Sequence, residues 1–214
     1  ANLLHAELLQ AKLGAAMRGQ GAADLATLTT VAECIVSDTQ RAAEIIRKLR
    51  NLFRMSKGEY VPMDFDRLVL DVLDLVQSQM EQSHILVSTE FDANFRLNGD
   101  ATQLQQVVLN LLNNAIDAML DGHPRYPLLR IRGKVSGDFL ELDVEDNGRG
   151  IEPERQDDVF SLFKTSKSQG MGVGLWLSRS IVEMHGGRLT FTSEPGYRTV
   201  FTLRLPSLGH TPQG

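Results

Sequence analysis

Gln103-Leu104-Gln105-Gln106-Val107-Val108-Leu109-Asn110-Leu111-Leu112-Asn113-Asn114-Ala115-Ile116-Asp117-Ala118-Met119 decides how the rest of the chain is read. At about 100° per residue, Gln103, Gln106, Asn110, Asn113, Asn114 and Asp117 fall within roughly 100° of arc, while Leu104, Val108, Leu111, Ala115 and Met119 line the opposite side. The spacing predicts an amphipathic helix with an unusual polar face. An exposed helix face ordinarily carries Glu, Lys, Arg and Gln, because Asn loses roughly 0.5 kcal/mol per residue against Ala in a helix. Three Asn within five residues are either a solvated face of indifferent design or a set of neutral amide carbonyls turned into a cleft. The second arrangement suits a hard cation or a polar ligand.

The totals bound the possibilities. With 214 residues the chain has room for one domain and an appendage, and two pieces are expected. It is 42% hydrophobic and 23% charged, with no apolar run long enough to span a bilayer, so no membrane contact is expected of this stretch. No signal peptide is visible. A net charge of -5 argues against nucleic acid as a partner, since counterion displacement needs a basic surface. The single cysteine, Cys34, lies in an apolar helical pattern and suits a reducing compartment; no His neighbours it in a nucleophile motif.

Two organisational halves are predicted. From about residue 22 to 55, Leu25, Leu28, Ala32, Ile35, Thr39, Ala42, Ile46, Leu49 and Phe53 form a heptad seam, widened by Val31, Ile45 and Leu52. A shorter helix over Asn2–Met17 precedes it and stops at Gly19-Gln20-Gly21. At 1.5 Å per residue the second helix spans about 50 Å and the first about 25 Å. The inequality gives the expectation that the chain begins part-way through a helix. The wide apolar stripe favours a homodimer in which two hairpins form a four-helix bundle.

After Lys57-Gly58-Glu59 a second unit is expected: a strand over Tyr60–Phe65, a helix capped by Asp66 and running to Met80 with Leu68, Val72, Leu75 and Val76 inward, and a strand over Ile85–Phe91. Asp100 with Gln103 makes a capping box for the opening helix. Leu128–Val135 and Phe139–Val144 read as a hairpin around Ser136-Gly137-Asp138. A helix from Leu175 to His185, stopped by Gly186-Gly187, and strands Arg188–Ser193 and Thr199–Leu205 close the unit. The fold class expected is α+β: an N-terminal helical hairpin (1–57), then a two-layer α/β sandwich with a mixed sheet (58–208), then a frayed tail (209–214).

Chemistry concentrates in three places. Asp146-Asn147-Gly148-Arg149-Gly150-Ile151 follows a strand, and its glycines allow a tight turn with close ligand approach. Phe163-Lys164-Thr165-Ser166-Lys167 then leads into Gly170-Met171-Gly172-Val173-Gly174-Leu175 at a helix start, where free N–H groups attract phosphate. This run is neither a Walker A loop nor a dinucleotide fingerprint.

Taken in order, the Asn-faced helix, D-N-G-R-G-I, F-x-x-F-K-T-S-K, G-M-G-V-G-L and I-V-E-M-H-G-G resemble the ATP-binding catalytic domain of bacterial two-component sensor histidine kinases from about Tyr60 to Pro206. That domain shares its fold with gyrase B and the heat-shock ATPase chaperones. Arg41-Ala42-Ala43-Glu44-Ile45-Ile46-Arg47-Lys48-Leu49-Arg50 is similar to the second dimerisation helix of these kinases.

The resemblance implies that Asn114 is the metal-binding Asn, joining ATP phosphates around Mg²⁺. Asn110, one turn earlier, stands where ATP-hydrolysing relatives carry a general-base Glu and is the catalytic candidate; its amide cannot take a proton from water, so ATP is kept for transfer. Asp146 matches the acceptor for the adenine amino group, with Gly148 and Gly150 giving the ring room. Phe160 and Phe163 anchor a lid, Thr165, Ser166 and Lys167 face phosphate, and Gly170, Gly172 and Gly174 close over it. Asp117, Ile151 and Leu175 belong to the same ATP-binding set. Thr199 matches a lesser adenine-side position, beside an Arg198 that stands where the family often has Gly.

One departure limits the expected activity. The family's phosphoacceptor His is followed at once by an acid and a few residues later by Pro. His5-Ala6-Glu7-Leu8-Leu9-Gln10-Ala11 lacks the proline and has its acid one residue late, so no acceptor is assigned in this chain and the true one is expected upstream. His84, His123, His185 and His210 are given structural roles. The function implied is the cytoplasmic core of a sensor histidine kinase, whose parent is soluble or membrane-anchored. It would bind ATP and Mg²⁺ and pass the γ-phosphoryl group to a histidine, for relay to an aspartate in a response-regulator receiver domain. The alternatives are an ATPase or protein-serine kinase on the same fold, which the missing Glu disfavours, and a dimeric nucleotide-binding scaffold without catalysis.

Overall fold

The computed structural model describes residues 30, 32–34, 36, 39, 59–164 and 172–208. The chain divides into two compact units, Ala1–Lys57 and Gly58–Gly214. In the first, Thr30, residues 32–34, Val36 and Thr39 are helical and Cys34 is a half-buried free thiol. The expected hairpin, its heptad seam, His5 and the tail 209–214 otherwise lie outside the described residues. No helix among the described residues is long and apolar enough to cross a membrane.

The second unit begins with strand β1 (Val61–Asp64) and helix α1 (Phe65–Gln82). Asp64, not Asp66, is the N-cap residue. The Asp64 carboxylate is engaged by Arg96 at 2.7 Å across the β1 register, and Asp66 instead lies in the first turn, where an acid complements the helix dipole. α1 buries Phe65, Val69, Val72, Leu73, Val76 and Met80. Leu75, expected inward, is 63% exposed, because the stripe chosen by the core runs through Val72 and Val76 and leaves Leu75 on the opposite flank.

β2 (Leu86–Phe91) and the short β3 (Arg96–Gly99) follow. β3 is not legible in the sequence; it pairs antiparallel with β1. α2 (Ala101–Gly122) is the long amphipathic helix, burying Leu104, Val107, Val108, Leu111, Leu112, Ala115, Ile116 and Met119. The Asp100 carboxylate caps it by accepting the Gln103 N–H at 3.1 Å. The reciprocal half of the expected capping box is absent, since the Asp100 N–H donates to His185 Nε2 at 3.1 Å.

β4 (Leu128–Ser136) and β5 (Phe139–Asp146) form the expected hairpin, with Ser136 opposite Phe139 and Gly137 at φ +58° in the turn. A short α3 (Pro153–Gln156), α4 (Gly174–Met184), β6 (Arg188–Glu194) and β7 (Arg198–Pro206) complete the unit. The main sheet has the order β2-β4-β5-β7-β6, with β2 parallel to β4 and the other pairs antiparallel, which is the mixed α+β arrangement expected.

Alternate residues of each strand face the helices. Register aligns them into rows across the sheet, such as Ile131, Val144, Phe201 and Phe191, then Gly133, Leu142, Leu203 and Leu189. The other face carries charge. Arg130 and Arg132 both reach Glu145, at 3.2 and 2.8 Å, while Arg204 reaches Glu141 at 3.6 Å. Opposite charges directly across strands stabilise such an open face.

α2 and α4 run antiparallel, and a buried histidine fixes one end of the pair. His185, at the C-cap of α4, donates from Nδ1 to the Ile181 carbonyl at 2.8 Å and accepts the Asp100 N–H at Nε2. Burial lowers its pKa, so it stays neutral and keeps that acceptor lone pair. The Tyr60 ring stacks on it at 4.6 Å, and the Tyr60 hydroxyl donates to the Met184 carbonyl.

Leu111 is fully buried on α2 and Leu75 is not. Leu111→Ala is expected to lower stability by about 2–5 kcal/mol, and Leu75→Ala by no more than about 0.5 kcal/mol. Urea unfolding followed by circular dichroism distinguishes the two, and equal losses would contradict the outward placement of Leu75.

Candidate functional site

The apolar side of α2 is committed to the core, so its Asn side is turned along a groove beside α4 and the β5–α3 turn. Asn110, Asn113, Asn114 and Asp117 are each half-buried on that side. Near the middle of α2, the first turn of α4 packs directly on Asn110. A Cβ at Gly174 would run into Asn110 Oδ1, and Asn110 Nδ2 donates to Ser178 Oγ at 3.0 Å. Near the C-terminal end of α2, the turn after β5 closes in. A Cβ at Gly148 would lie 2.5 Å from the Ala118 carbonyl, and the Arg149 N–H donates to the same carbonyl at 3.1 Å. From Asn110 to Ala118 the groove floor is about 12 Å long at the helical rise of 1.5 Å per residue.

Asp146 ends β5 on the core-facing side, two residues beyond Val144. There the row across the sheet turns polar: Leu129 pairs with Asp146, Asp146 with Thr199, and Thr199 with Ser193. Asp146 is 2% exposed. Burial pushes its carboxyl up to about 7; the Gly148 N–H donated to Oδ1 at 2.9 Å opposes that rise, and the neighbouring Glu145 charge adds to it. A carboxylate held with so little compensation is a ready acceptor for a ligand N–H.

Ser193 was not singled out in the sequence. Its Oγ accepts the Ile151 N–H at 2.9 Å and lies 2.9 Å from Thr199 Oγ1, so it fastens the β5–α3 turn to β6 and β7. The signal available was its alternation with Leu189 and Phe191. In the sequence Asn147 is only one residue of the turn after β5. Its Oδ1 accepts the Leu128 N–H and its Nδ2 donates to the Tyr126 carbonyl, both at 2.8 Å, tying the α2–β4 loop to the site. Gly150 adopts φ +70°, and a Cβ there would strike the Glu194 carbonyl, so this turn accepts no other residue without rearrangement.

At the other end, the Phe163 N–H donates to the Gly172 carbonyl at 3.0 Å, and a Cβ at Gly172 would meet the Lys164 backbone. Phe160 packs edge-on against Phe191 at 5.7 Å and carries Arg179 over its ring at 5.3 Å, while Phe163 is exposed. Leu175 lies half-buried on the first turn of α4, and no side chain caps that turn, so its N–H groups and dipole favour an anion. Asn110, Asn114, Asp117, Asp146, Gly148, Gly150, Ile151, Gly172, Gly174, Leu175 and Thr199 therefore fall on the elements that frame the groove. Thr165, Ser166, Lys167 and Gly170 lie outside the described residues.

Among the described residues no cluster of three or more His, Cys, Asp or Glu side chains could hold a metal ion alone. The Asn amide oxygens of α2 are hard, neutral donors of the kind that shares Mg²⁺ with phosphates and water.

Residues 99–209 match the family described as histidine kinase-, DNA gyrase B-, and HSP90-like ATPase. The sensor protein FixL of Bradyrhizobium diazoefficiens is 33% identical over 169 residues, which cover 78% of this chain and 33% of FixL. The sensor-like histidine kinase SenX3 of Mycobacterium tuberculosis is 30% identical over 195 residues, covering 86% of this chain and 47% of SenX3. The chain thus spans less than half the length of either relative. The solved catalytic domain of histidine kinase ThkA superposes with a TM-score of 0.63 at 28% identity, over 70% of this chain and 96% of that domain. The chain belongs to the histidine kinase-, DNA gyrase B- and HSP90-like ATPase family, and carries the ATPase domain of a two-component sensor histidine kinase.

Proposed function

We propose that the chain binds ATP with Mg²⁺ in the groove along α2 and transfers the γ-phosphoryl group to a histidine other than its own five, for relay to an aspartate of a response-regulator receiver domain. The observation that carries this reading is Asp146, a buried carboxyl at the polar end of a core-facing row, beside a turn with no room for side chains at Gly148 and Gly150. Asp146 accepts the adenine amino group there, with Thr199 alongside in the ladder and Ile151 held by Ser193. The triphosphate lies toward Gly172, Gly174 and Leu175, and Thr165, Ser166, Lys167 and Gly170 are its further phosphate-side partners by the family resemblance. Asn114 and Asn110 would hold Mg²⁺ and phosphate oxygens through their amides, with Asp117 completing the polar side, and the ion would supply charge neutralisation at the transferring group. Asn110 supplies no base for water, so positioning favours transfer over hydrolysis. The residues of 1–57 form the dimerising hairpin and 58–208 the catalytic domain. The protein works as a homodimer in the cytoplasm.

Incubation with γ-labelled ATP and Mg²⁺ tests the reaction. Label is expected to appear on an added acceptor-bearing dimerisation hairpin of a sensor histidine kinase and not on the chain alone. Labelling of the chain alone would place the acceptor within it, and a phosphate release that needs no hairpin would favour the ATPase reading.

Asn114→Ala is expected to abolish Mg²⁺-dependent ATP binding by calorimetry while the far-ultraviolet dichroism stays unchanged. An unfolded variant would assign that side chain to structure instead.

The Asp146 carboxyl gives a pH signature. Folding raises its pKa from 3.8 to about 7, so the folded state holds the proton more tightly than the unfolded chain. The contribution of Asp146 to stability is therefore fully present below pH 3.8 and is lost as pH rises through about 7. Asp146→Asn should melt at a higher temperature than the parent at pH 8, with the gap narrowing toward pH 4. Adenine selects the ionised form, so ATP affinity should rise up to about tenfold from pH 6 to pH 8 in the parent and stay flat, and much weaker, in Asp146→Asn. A parent affinity independent of pH over that range would remove Asp146 from the binding site.

A further inference from the structure

A hydrogen bond between Asn110 and Ser178 joins the N-terminal half of α4 to α2. Ser178 is 1% exposed, sits one turn beyond Gly174, and accepts the Asn110 Nδ2 hydrogen at 3.0 Å. Gly174 presses on the other end of the same amide, since a Cβ there would strike Asn110 Oδ1. The terminal torsion of an Asn side chain is broad and roughly two-fold, so a loosely held amide exchanges its donor and acceptor ends. Here one turn of one helix grips both ends. With Nδ2 committed to Ser178, the carbonyl oxygen is the end held at the start of α4.

The choice of residue is informative. Ser178 stands among the buried apolar side chains Leu177, Ile181 and Val182, where Ala is the better helix former. A hydroxyl buried without a partner costs free energy, and Asn110 is the partner that offsets it.

We infer that Ser178 is a positioning residue for the phosphate end of the groove: it fixes the Asn110 amide so that Oδ1, rather than Nδ2, faces the triphosphate and its metal. This rests on the reading of the Asn face of α2 as the ATP groove. Asn110 and the first turn of α4 then behave as one piece, and a change at Ser178 acts on ATP only through Asn110.

A double-mutant cycle measured by calorimetry on the whole chain tests this, using Mg-ATP and AMP as probes. Ser178→Ala is expected to weaken Mg-ATP binding about five- to tenfold. AMP, which engages the Asp146 end, should bind Ser178→Ala as it binds the parent. Asn110→Ala should show at least the same Mg-ATP loss. The double variant should be no weaker than Asn110→Ala, because the second substitution has nothing left to orient. A structural defect would instead weaken both nucleotides together and add to the Asn110→Ala loss, which overturns the positioning role. Unchanged Mg-ATP affinity in Ser178→Ala, with Asn110→Ala impaired, overturns it as well and leaves the groove reading standing. Unchanged affinity in both single variants overturns the positioning role and the place of Asn110 in the groove together.

Discussion

The antiparallel contact between α2 and α4 is the constraint on which the site depends. Both ends of the contact are set by side chains that bridge the two helices. At one end His185 takes the Asp100 N–H while returning its own Nδ1 hydrogen to α4; that pair of bonds requires the neutral ring with the proton on Nδ1. At the other end Asn110 meets Ser178 and Gly174. Between these points the two helices cannot slide along each other without breaking a bond to a buried group. The polar face of α2 is consequently presented at a fixed height and angle to the turn after β5.

The sheet contributes the second wall by a simple change of residue type along a row. Core-facing positions that are Val, Leu and Phe for most of the sheet become Asp146, Thr199 and Ser193 at one end. Ordinary burial rules disfavour a charged carboxyl there, and burial accordingly raises its pKa. A protein selected for stability alone would place an apolar side chain at position 146. On the proposed reading, the acid is retained for binding, a trade of stability for function.

Much of this was legible in the chain. The long helix, the hairpin around Gly137 and the Gly-rich flanks of the site follow from periodicity and turn chemistry, and the ordered motifs carried the family. What was not legible depends on tertiary choice. The sequence points to Asp66 as the cap of α1, and Asp64 takes that position with its carboxylate on Arg96, a pairing visible only once β1 and β3 are side by side. β3 itself has four residues, too few for a periodic signal. Leu75 and Val76 are equally apolar, and only the packing of α1 on the core decides which is buried. Edge strand β2 is exposed along nearly all of its length, which the sequence of Ile85–Phe91 does not reveal. Ser178 and Ser193 read as unremarkable polar residues until their partners on other elements are known.

The contact between Phe163 and Gly172 bears on how this part of the chain can diversify. The Phe163 N–H on the Gly172 carbonyl, with Gly172 against the Lys164 backbone, holds these two points of the chain together although eight residues of sequence separate them. Lengthening a loop whose ends are already held together adds only about 0.6 kcal/mol for each doubling. Insertions or deletions at that place leave α2, α4 and the sheet undisturbed. The length and composition of the sequence between these two points can therefore drift independently of the scaffold, while Gly148 and Gly174, pressed against backbone and amide, cannot drift at all.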